Sequence, residues 1–202
     1  MSVARTRLTA EKRREAVLET ACRIFSKSSY RGTTTAAIAR ESGVTEPILY
    51  RHFPSKRDLY MACLAEAWSQ VRAVWEDAIA GASEPKDWVS AMGRAYLALQ
   101  ARNAKVLLVD LWIQALTEAS EDPEIKRYVR EQLREVHGFV ADVIRRSQAA
   151  GGVLPDRDPD AEAWIFLALG MLSSFDRRLG CLVGKNMEGV FTSRRRWMLG
   201  TE

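Results

Sequence analysis

Apolar residues near the start of the chain recur with the spacing of an α-helix. They fall at Val17, Ala21, Ile24 and Phe25, which share one face of a helix. A threonine stands before this segment at Thr9, where its hydroxyl can accept a hydrogen bond from the first turn. The pattern therefore predicts a helix over about residues 9–27.

Two shorter helices are predicted between positions 33 and 53, with a glycine between them. Thr33 or Thr34 can cap the first helix, which ends at Gly43. The second begins at Thr45, whose hydroxyl can cap it, and continues to about Phe53. Three helices in so short a segment predict a small helical head.

The remainder of the chain shows helical periodicity, and no alternation long enough for a pair of strands interrupts it. The predicted elements are a long helix from near Lys56 to beyond Trp75 and helices at 86–101, 104–119, 123–149, 158–180 and 186–198. Gly151, Gly152 and Pro155 form the clearest break. The sequence thus predicts an all-α fold of about nine helices.

Charge is distributed unevenly between the predicted head and the rest of the chain. Residues 1–60 hold 12 lysines and arginines against 6 acidic residues, whereas residues 61–202 hold 18 against 20. All six tryptophans lie in the second part. A basic head on a slightly acidic, aromatic-rich body indicates that the head contacts a polyanion.

Composition argues against several other classes of protein. Apolar residues make up 47% of the chain and charged residues 28%, which is typical of a globular protein. The three cysteines have no metal-like spacing, so we expect neither a disulfide framework nor a metal site. No cofactor is expected. No signal peptide or bilayer-spanning apolar run is visible, so a cytoplasmic protein without a membrane partner is expected.

The most informative spacing joins Ala39, Gly43 and Leu49. In a tight helix-turn-helix, a small residue lets the second helix cross the first, and a glycine takes the positive φ of the turn. An apolar residue then holds the second helix inward. In a basic three-helix segment, these three residues predict a helix-turn-helix.

The stretch from Tyr30 to Leu59, which contains this spacing, resembles the DNA-binding signature of the TetR (tetracycline-repressor-like) family. The resemblance runs without a gap over about residues 10–60 and continues beyond them only in the number and length of helices. It implies a homodimeric bacterial transcription regulator that binds a pseudo-palindromic double-stranded operator and a small-molecule effector. The implied domains are a DNA-binding domain over 1–57 and an effector-binding and dimerisation domain over 58–202.

Four residues of the second short helix are candidates for reading bases. Its N-terminus would enter the major groove and bring Thr45, Glu46 and Pro47 toward base edges. Glu46 could accept from a cytosine amino group or simply stabilise the helix dipole, and Pro47 could pack on a thymine methyl. Arg51 could reach a base or a phosphate.

Four further residues are candidates for binding the DNA backbone. Thr35 begins the preceding helix, where a hydroxyl and the helix dipole favour phosphate. The resemblance places Tyr50, His52 and Lys56 at positions that contact phosphates in the family. Instead of contacting phosphate, Tyr50 could be mainly a packing residue. His52 could likewise be a buried core histidine.

Dimerisation is expected through the helices at 158–180 and 186–198. Residues Ala163 to Phe175 are apolar on nearly all faces of a helix, which then needs cover on both sides. These two helices resemble the pair that forms the intersubunit four-helix bundle of the family. The alternative is a core helix of a monomer.

An effector cavity in the body is implied by the resemblance. Asp110 and Gln114 interrupt the apolar helix 104–119 at i, i+4 and share one face, which either lines the cavity or meets solvent or a neighbouring helix. The other candidate lining residues are Trp68, Trp75, Met92, Tyr96, Trp112 and Phe166.

No catalytic residues are expected, because the chain has only two histidines and no phosphate-binding loop, nucleophile elbow or zinc-protease motif. We interpret the protein as a sequence-specific transcription regulator, a repressor that a small effector releases from its operator. The alternative is a DNA-binding regulator or activator whose C-terminal domain binds a protein partner or no ligand.

Overall fold

The computed structural model describes residues 9–102 and 108–201, with side chains described outside 101–109, and every regular element among them is helical. The helices are α1 (Ala10–Lys27), α2 (Thr35–Glu41), α3 (Glu46–His52), α4 (Lys56–Ala80), α5 (Trp88–Arg102), α6 (Leu108–Glu118), α7 (Pro123–Ala149), α8 (Pro159–Arg178) and α9 (Asn186–Leu199), with a 3-10 turn at Pro85–Asp87. The predicted all-α class is confirmed. The predicted start of the helix at 104 lies outside the described residues.

Helix α1 forms where the apolar periodicity and the capping threonine predict it. The Thr9 hydroxyl accepts from the Lys12 amide at 3.2 Å and so satisfies one of the first free N–H groups. Val17, Ala21 and Phe25 are fully buried along one face. The helix stabilises the head by removing this apolar face from water.

The chain divides into two units by internal packing. Among the described residues, the first unit takes 9–67 and 108–129, and the second takes 68–102 and 130–201. These units do not coincide with a boundary at residue 57, because α6 and the start of α7 pack with the head. The expected boundary concerns which residues bind DNA and which bind an effector, and it stays a prediction.

In the first unit, α1 packs against α2, α3 and α6. Tyr60 of α4 is fully buried here, with its ring centroid 5.0 Å from Phe25 and 4.9 Å from Tyr30. Its hydroxyl donates to the Leu111 carbonyl of α6 at 3.4 Å, and burial raises the pKa of Tyr60 well above its usual value. A tyrosine of α4 thus joins the head to α6.

In the second unit, α5 packs against α8. The core includes fully buried Met92 of α5, Val140 and Ile144 of α7, and Ala163 of α8. No helix in the parts of the chain that the structure describes has the length and apolarity needed to cross a membrane.

The predicted break after α7 forms a turn, and one of its glycines also packs closely against the 3-10 turn. Gly151 has a φ of 75°, a left-handed conformation that glycine adopts at low cost and that ends the helix. The next residue, Gly152, is buried against the 3-10 turn. A Cβ at Gly152 would lie 2.5 Å from the Lys86 nitrogen and 2.6 Å from the Ser147 Oγ. Only glycine fits at this position.

We predict that Gly152→Ala lowers the free energy of unfolding by about 1–3 kcal/mol, because the added methyl overpacks a contact with backbone atoms. Gly138→Ala is the matched control. Gly138 lies inside α7, and a Cβ at this position would meet no atom within 4 Å. This substitution should raise stability by about 0.5–1 kcal/mol. Urea unfolding of the two variants measures both effects, and equal stabilities would contradict the prediction.

Candidate nucleic-acid interface

The turn between α2 and α3 has the geometry that the spacing of Ala39, Gly43 and Leu49 predicts. Gly43 has a φ of 70°, and the Val44 amide donates to the Ala39 carbonyl at 3.0 Å across the turn. Ala39 and Leu49 are buried. The first and second short helices are therefore held in one arrangement by a glycine turn and two buried side chains.

The two threonines before these helices behave differently. The Thr34 hydroxyl accepts from the Ala37 amide at 3.2 Å and caps α2. Among the described residues, the Thr45 side chain makes no capping hydrogen bond to α3, so the prediction that its hydroxyl caps the helix is wrong. Capping needs an N–H at the second or third helical position. Pro47 has none, and the Ile48 amide donates to the Thr45 carbonyl instead, at 2.9 Å.

Helix α3 presents several predicted DNA-binding residues to solvent. Thr45, Pro47 and Arg51 are exposed, and Tyr50 keeps 42% of its surface accessible. Glu46 and His52 are half-buried. Because Leu49 faces inward, the opposite side of this short helix is the side available to a partner.

The predicted phosphate contact Thr35 lies inside the head. It is only 8% exposed, and its hydroxyl donates to the Glu46 Oε1 at 2.5 Å. The Tyr50 hydroxyl lies 3.0 Å from the same Thr35 oxygen. Three of the predicted DNA-binding residues are thus joined to one another. A clue in the sequence is the i, i+4 spacing of Glu46 and Tyr50, which places them on one face of α3.

Lys56 begins α4 and lies over an aromatic ring. Its ammonium nitrogen is 4.4 Å from the centroid of Tyr30. Burial lowers the pKa of Lys56, and the Glu118 carboxylate opposes this effect. This cation–π contact restrains the Lys56 side chain at the N-terminus of α4. Lys56 follows the end of α3 by only a few residues.

Two arginines of the head form ion pairs that sequence reasoning missed. Arg57 pairs with Asp122 at 3.1 Å and also with Glu124. Arg31 pairs with Glu121 and lies 3.8 Å from Glu118. The acidic partners follow or end α6, more than sixty positions along the chain, so no local pattern reveals them. Part of the positive charge of the head is therefore balanced within its own packing unit.

The predicted ligand residues divide between the two units. Trp68, Trp75, Tyr96 and Phe166 come together in the second unit with Phe139 of α7, which sequence reasoning missed. We call these five residues the aromatic cluster. Met92 is fully buried in the same unit.

The other three predicted ligand residues lie on α6 in the first unit. Asp110 is buried, Trp112 is half-buried, and the Gln114 amide is 3.4 Å from the Ser26 carbonyl of α1. The structure therefore does not gather the eight residues into one unit. Their role in ligand binding stays a prediction.

Trp75 is central to the aromatic cluster. Its ring centroid lies 5.7 Å from Trp68, 6.0 Å from Phe139 and 5.5 Å from Phe166. Trp75 is 3% exposed, and its Nε1 has no hydrogen-bond partner among the described residues. The Trp68 Nε1 by contrast donates to Glu135 at 2.9 Å. A buried donor without a partner lowers the free energy of unfolding. An acceptor placed next to the Trp75 Nε1 would remove this cost.

Large apolar side chains are exposed on the last two helices. Trp164 and Phe175 of α8 and Trp197 of α9 each keep between 44% and 51% of their surface accessible. Leu179 and Leu182, which follow α8, are more exposed still. These exposed apolar side chains are the candidates for a contact of α8 and α9 with another molecule.

Comparison with known proteins agrees with this geometry. Residues 17–63 match the family described as "Bacterial regulatory proteins, tetR family", and residues 85–170 match "BetI-type transcriptional repressor, C-terminal". The HTH-type transcriptional regulator TtgR of Pseudomonas putida is 30% identical over 166 residues, which cover 77% of each chain. The chain belongs to the TetR family. It is a helix-turn-helix transcription regulator of a family whose members are not enzymes, and TetR-family regulators bind operator DNA and dimerise.

Solved structures share the fold. A TetR transcriptional regulator from Chloroflexus aurantiacus aligns with a TM-score of 0.80 at 22% identity and covers 95% of this chain and 96% of its own. A transcriptional regulator from Saccharomonospora viridis, solved in complex with choline, aligns with a TM-score of 0.68 at 23% identity. That alignment covers 93% of this chain and 95% of the other.

We predict that Thr34→Ala destabilises the protein and that Thr45→Ala does not. The Thr34 cap satisfies an amide of α2, and its loss should cost about 1 kcal/mol, whereas the Thr45 hydroxyl satisfies none in α3. Denaturant unfolding of the two variants measures the difference. Equal losses would show that Thr45 caps α3 after all.

We predict that Lys56→Ala weakens binding to every duplex by a similar factor, because a phosphate contact has no sequence preference. The slope of log affinity against log salt should become shallower by about 1. Lys27→Ala is the control, since Lys27 is an exposed lysine in the last turn of α1. Fluorescence anisotropy across a salt series checks this, and a change confined to one sequence would contradict the assigned role.

Proposed function

We propose that this TetR-family regulator is a homodimeric repressor that binds a pseudo-palindromic operator through α3 and is released by a small-molecule effector. The observation that carries the DNA-binding role is the outward surface of α3, where Thr45, Pro47 and Arg51 are exposed while Leu49 is buried. A helix held this way enters the major groove N-terminus first.

In this proposal α3 and the first residue of α4 contact both bases and phosphates. Glu46 accepts from a cytosine amino group and Pro47 packs on a thymine methyl. Tyr50, His52 and Lys56 contact phosphate oxygens and set the register. Since operator DNA lies in the bacterial cytoplasm, the protein acts there.

Two features support a dimer: the symmetry expected of the operator and the exposed apolar side chains of α8 and α9. Paired recognition helices about one DNA turn apart read a pseudo-palindrome. The exposed side chains of Trp164, Phe175 and Trp197 support pairing through these two helices, because burying them in a second copy removes apolar surface from water.

For the effector we propose a quaternary ammonium compound that carries an oxygen acceptor, with choline as the first candidate. Aromatic faces attract such cations, and the aromatic cluster brings five aromatic side chains together. The Trp75 Nε1 has no hydrogen-bond partner within the described ranges 9–102 and 108–201, and it would donate to the hydroxyl oxygen of choline. The choline complex of the Saccharomonospora viridis regulator supports this choice.

Helix α4 offers a route from effector to operator. Trp68 and Trp75 of the aromatic cluster lie on the same helix that begins with Lys56. An effector that binds more tightly to one tilt of α4 would shift the population away from the DNA-binding arrangement. In the alternative, the second unit binds a protein partner or no ligand, and the regulator activates.

The test begins with selection of bound duplexes from a random pool by the full chain. We expect two half-sites related by a pseudo-two-fold axis, and choline should weaken binding to the selected duplex. Trp75→Phe keeps an apolar ring but removes the N–H, and it should lower the apparent affinity for choline about tenfold while operator affinity is kept.

Trp88→Phe is the matched control, because Trp88 of α5 belongs to the same unit but not to the aromatic cluster. It should respond to choline like the unchanged protein. If no duplex is enriched, the regulator proposal fails. If duplexes are enriched but choline alters neither their binding nor the melting temperature, the ammonium effector is wrong and operator binding stands.

A further inference from the structure

Thr35 lies at the centre of a hydrogen-bonded chain whose direction is fixed by chemistry. A carboxylate accepts only, so the Thr35 hydroxyl hydrogen is donated to Glu46 Oε1, and the Tyr50 hydroxyl then donates to the Thr35 oxygen. The chain therefore runs from Tyr50 through Thr35 to Glu46. It links Thr35, the first residue of α2, to two residues of α3 that lie one turn apart.

The helical repeat explains why one threonine meets two side chains of α3. Glu46 and Tyr50 are four residues apart, so they stand one turn apart on the same face. Thr35 sits between them and is 8% exposed. The Thr35 hydroxyl donates its hydrogen to Glu46 and accepts the hydrogen of Tyr50. Its position is also buried, which is poorly suited to contact with a phosphate.

The hydrogen bond to Thr35 restricts where the Glu46 carboxylate points. Glutamate has several rotatable bonds and loses much rotamer freedom when it is ordered. A bond to a charged acceptor is stronger than a neutral one, so it offsets part of that loss before DNA arrives. In the proposed complex, the second carboxylate oxygen, Oε2, would accept from a cytosine amino group.

We propose that Thr35 is a positioning residue for sequence recognition: its hydroxyl orients the Glu46 carboxylate for base reading instead of contacting phosphate itself. This inference depends on DNA binding by the head and is independent of the effector. It assigns to Thr35 a part in specificity, which a phosphate contact does not have.

Tyr50 has a different role at the other end of the chain. Its single hydroxyl hydrogen points either at Thr35 or at a phosphate. When Tyr50 turns to a phosphate, Thr35 keeps its own hydrogen on Glu46, so the carboxylate stays oriented. Tyr50→Phe should therefore weaken binding to all sequences and leave the base preference unchanged.

The test compares Thr35→Val, which has nearly the same shape without the hydroxyl, with Thr35→Ser, which keeps the hydroxyl. Each full-length variant is assayed by selection from a random duplex pool and by competition between duplexes that differ at one base pair. Thr35→Val should lose about fivefold to tenfold of discrimination at the base pair in each half-site whose preference Glu46→Gln alters. Thr35→Ser should restore it, and affinity for unrelated duplexes should change little.

Two outcomes would overturn the proposal. Equal weakening of all sequences by Thr35→Val would make Thr35 a phosphate contact, and an unchanged preference would show that it does not orient Glu46. Thr35→Ala replaces Thr35→Val if the valine variant melts below the assay temperature.

A measurement on the folded protein without DNA gives an independent check. The Thr35 hydroxyl proton should exchange slowly with water in NMR spectra, and Glu46→Ala should accelerate this exchange. The same exchange rate in both proteins would also overturn the proposal.

Discussion

The arrangement of α2 and α3 is the constraint on which the rest of the head depends. It is set by a left-handed glycine at Gly43 and by burial of Ala39 and Leu49, and no other residue type takes that backbone conformation as easily. With Leu49 turned inward, the exposed side of α3 follows from helical geometry. The surface that we propose for base reading is therefore a consequence of apolar packing, and its polar residues lie on a framework that they do not create.

Polar residues of the head take part in two kinds of interaction. Thr35, Glu46 and Tyr50 bond to one another, and Arg31 and Arg57 pair with acids at the end of α6 and beyond it. Two of these ion pairs, Arg31 with Glu121 and Arg57 with Glu124, are well exposed on both sides, so each contributes little to stability. Their larger effect is on the electrostatic field, because charges that are paired inside the protein contribute less to attraction for a polyanion.

The second unit is built around large rings rather than aliphatic side chains alone. Ring pairs in the aromatic cluster meet edge to face or nearly parallel, arrangements that add to the stabilisation from burial. Among the residues that the structure describes, the indole N–H of Trp75 has no partner, and an unpaired buried donor lowers stability. Two of the tryptophans in this core, Trp68 and Trp75, belong to α4, the helix that begins at Lys56.

The sequence by itself determined the helices, the helix-turn-helix and the family, because each rests on short-range rules. Helical periodicity, threonine caps and the Ala39, Gly43, Leu49 spacing act within one or two turns of chain. Only the tertiary structure decided that Thr35 turns inward to Glu46, that Arg57 pairs with Asp122, and that the aromatic cluster includes Phe139 but not Trp112. These contacts depend on which helix faces meet across long stretches of chain, and no local pattern records that.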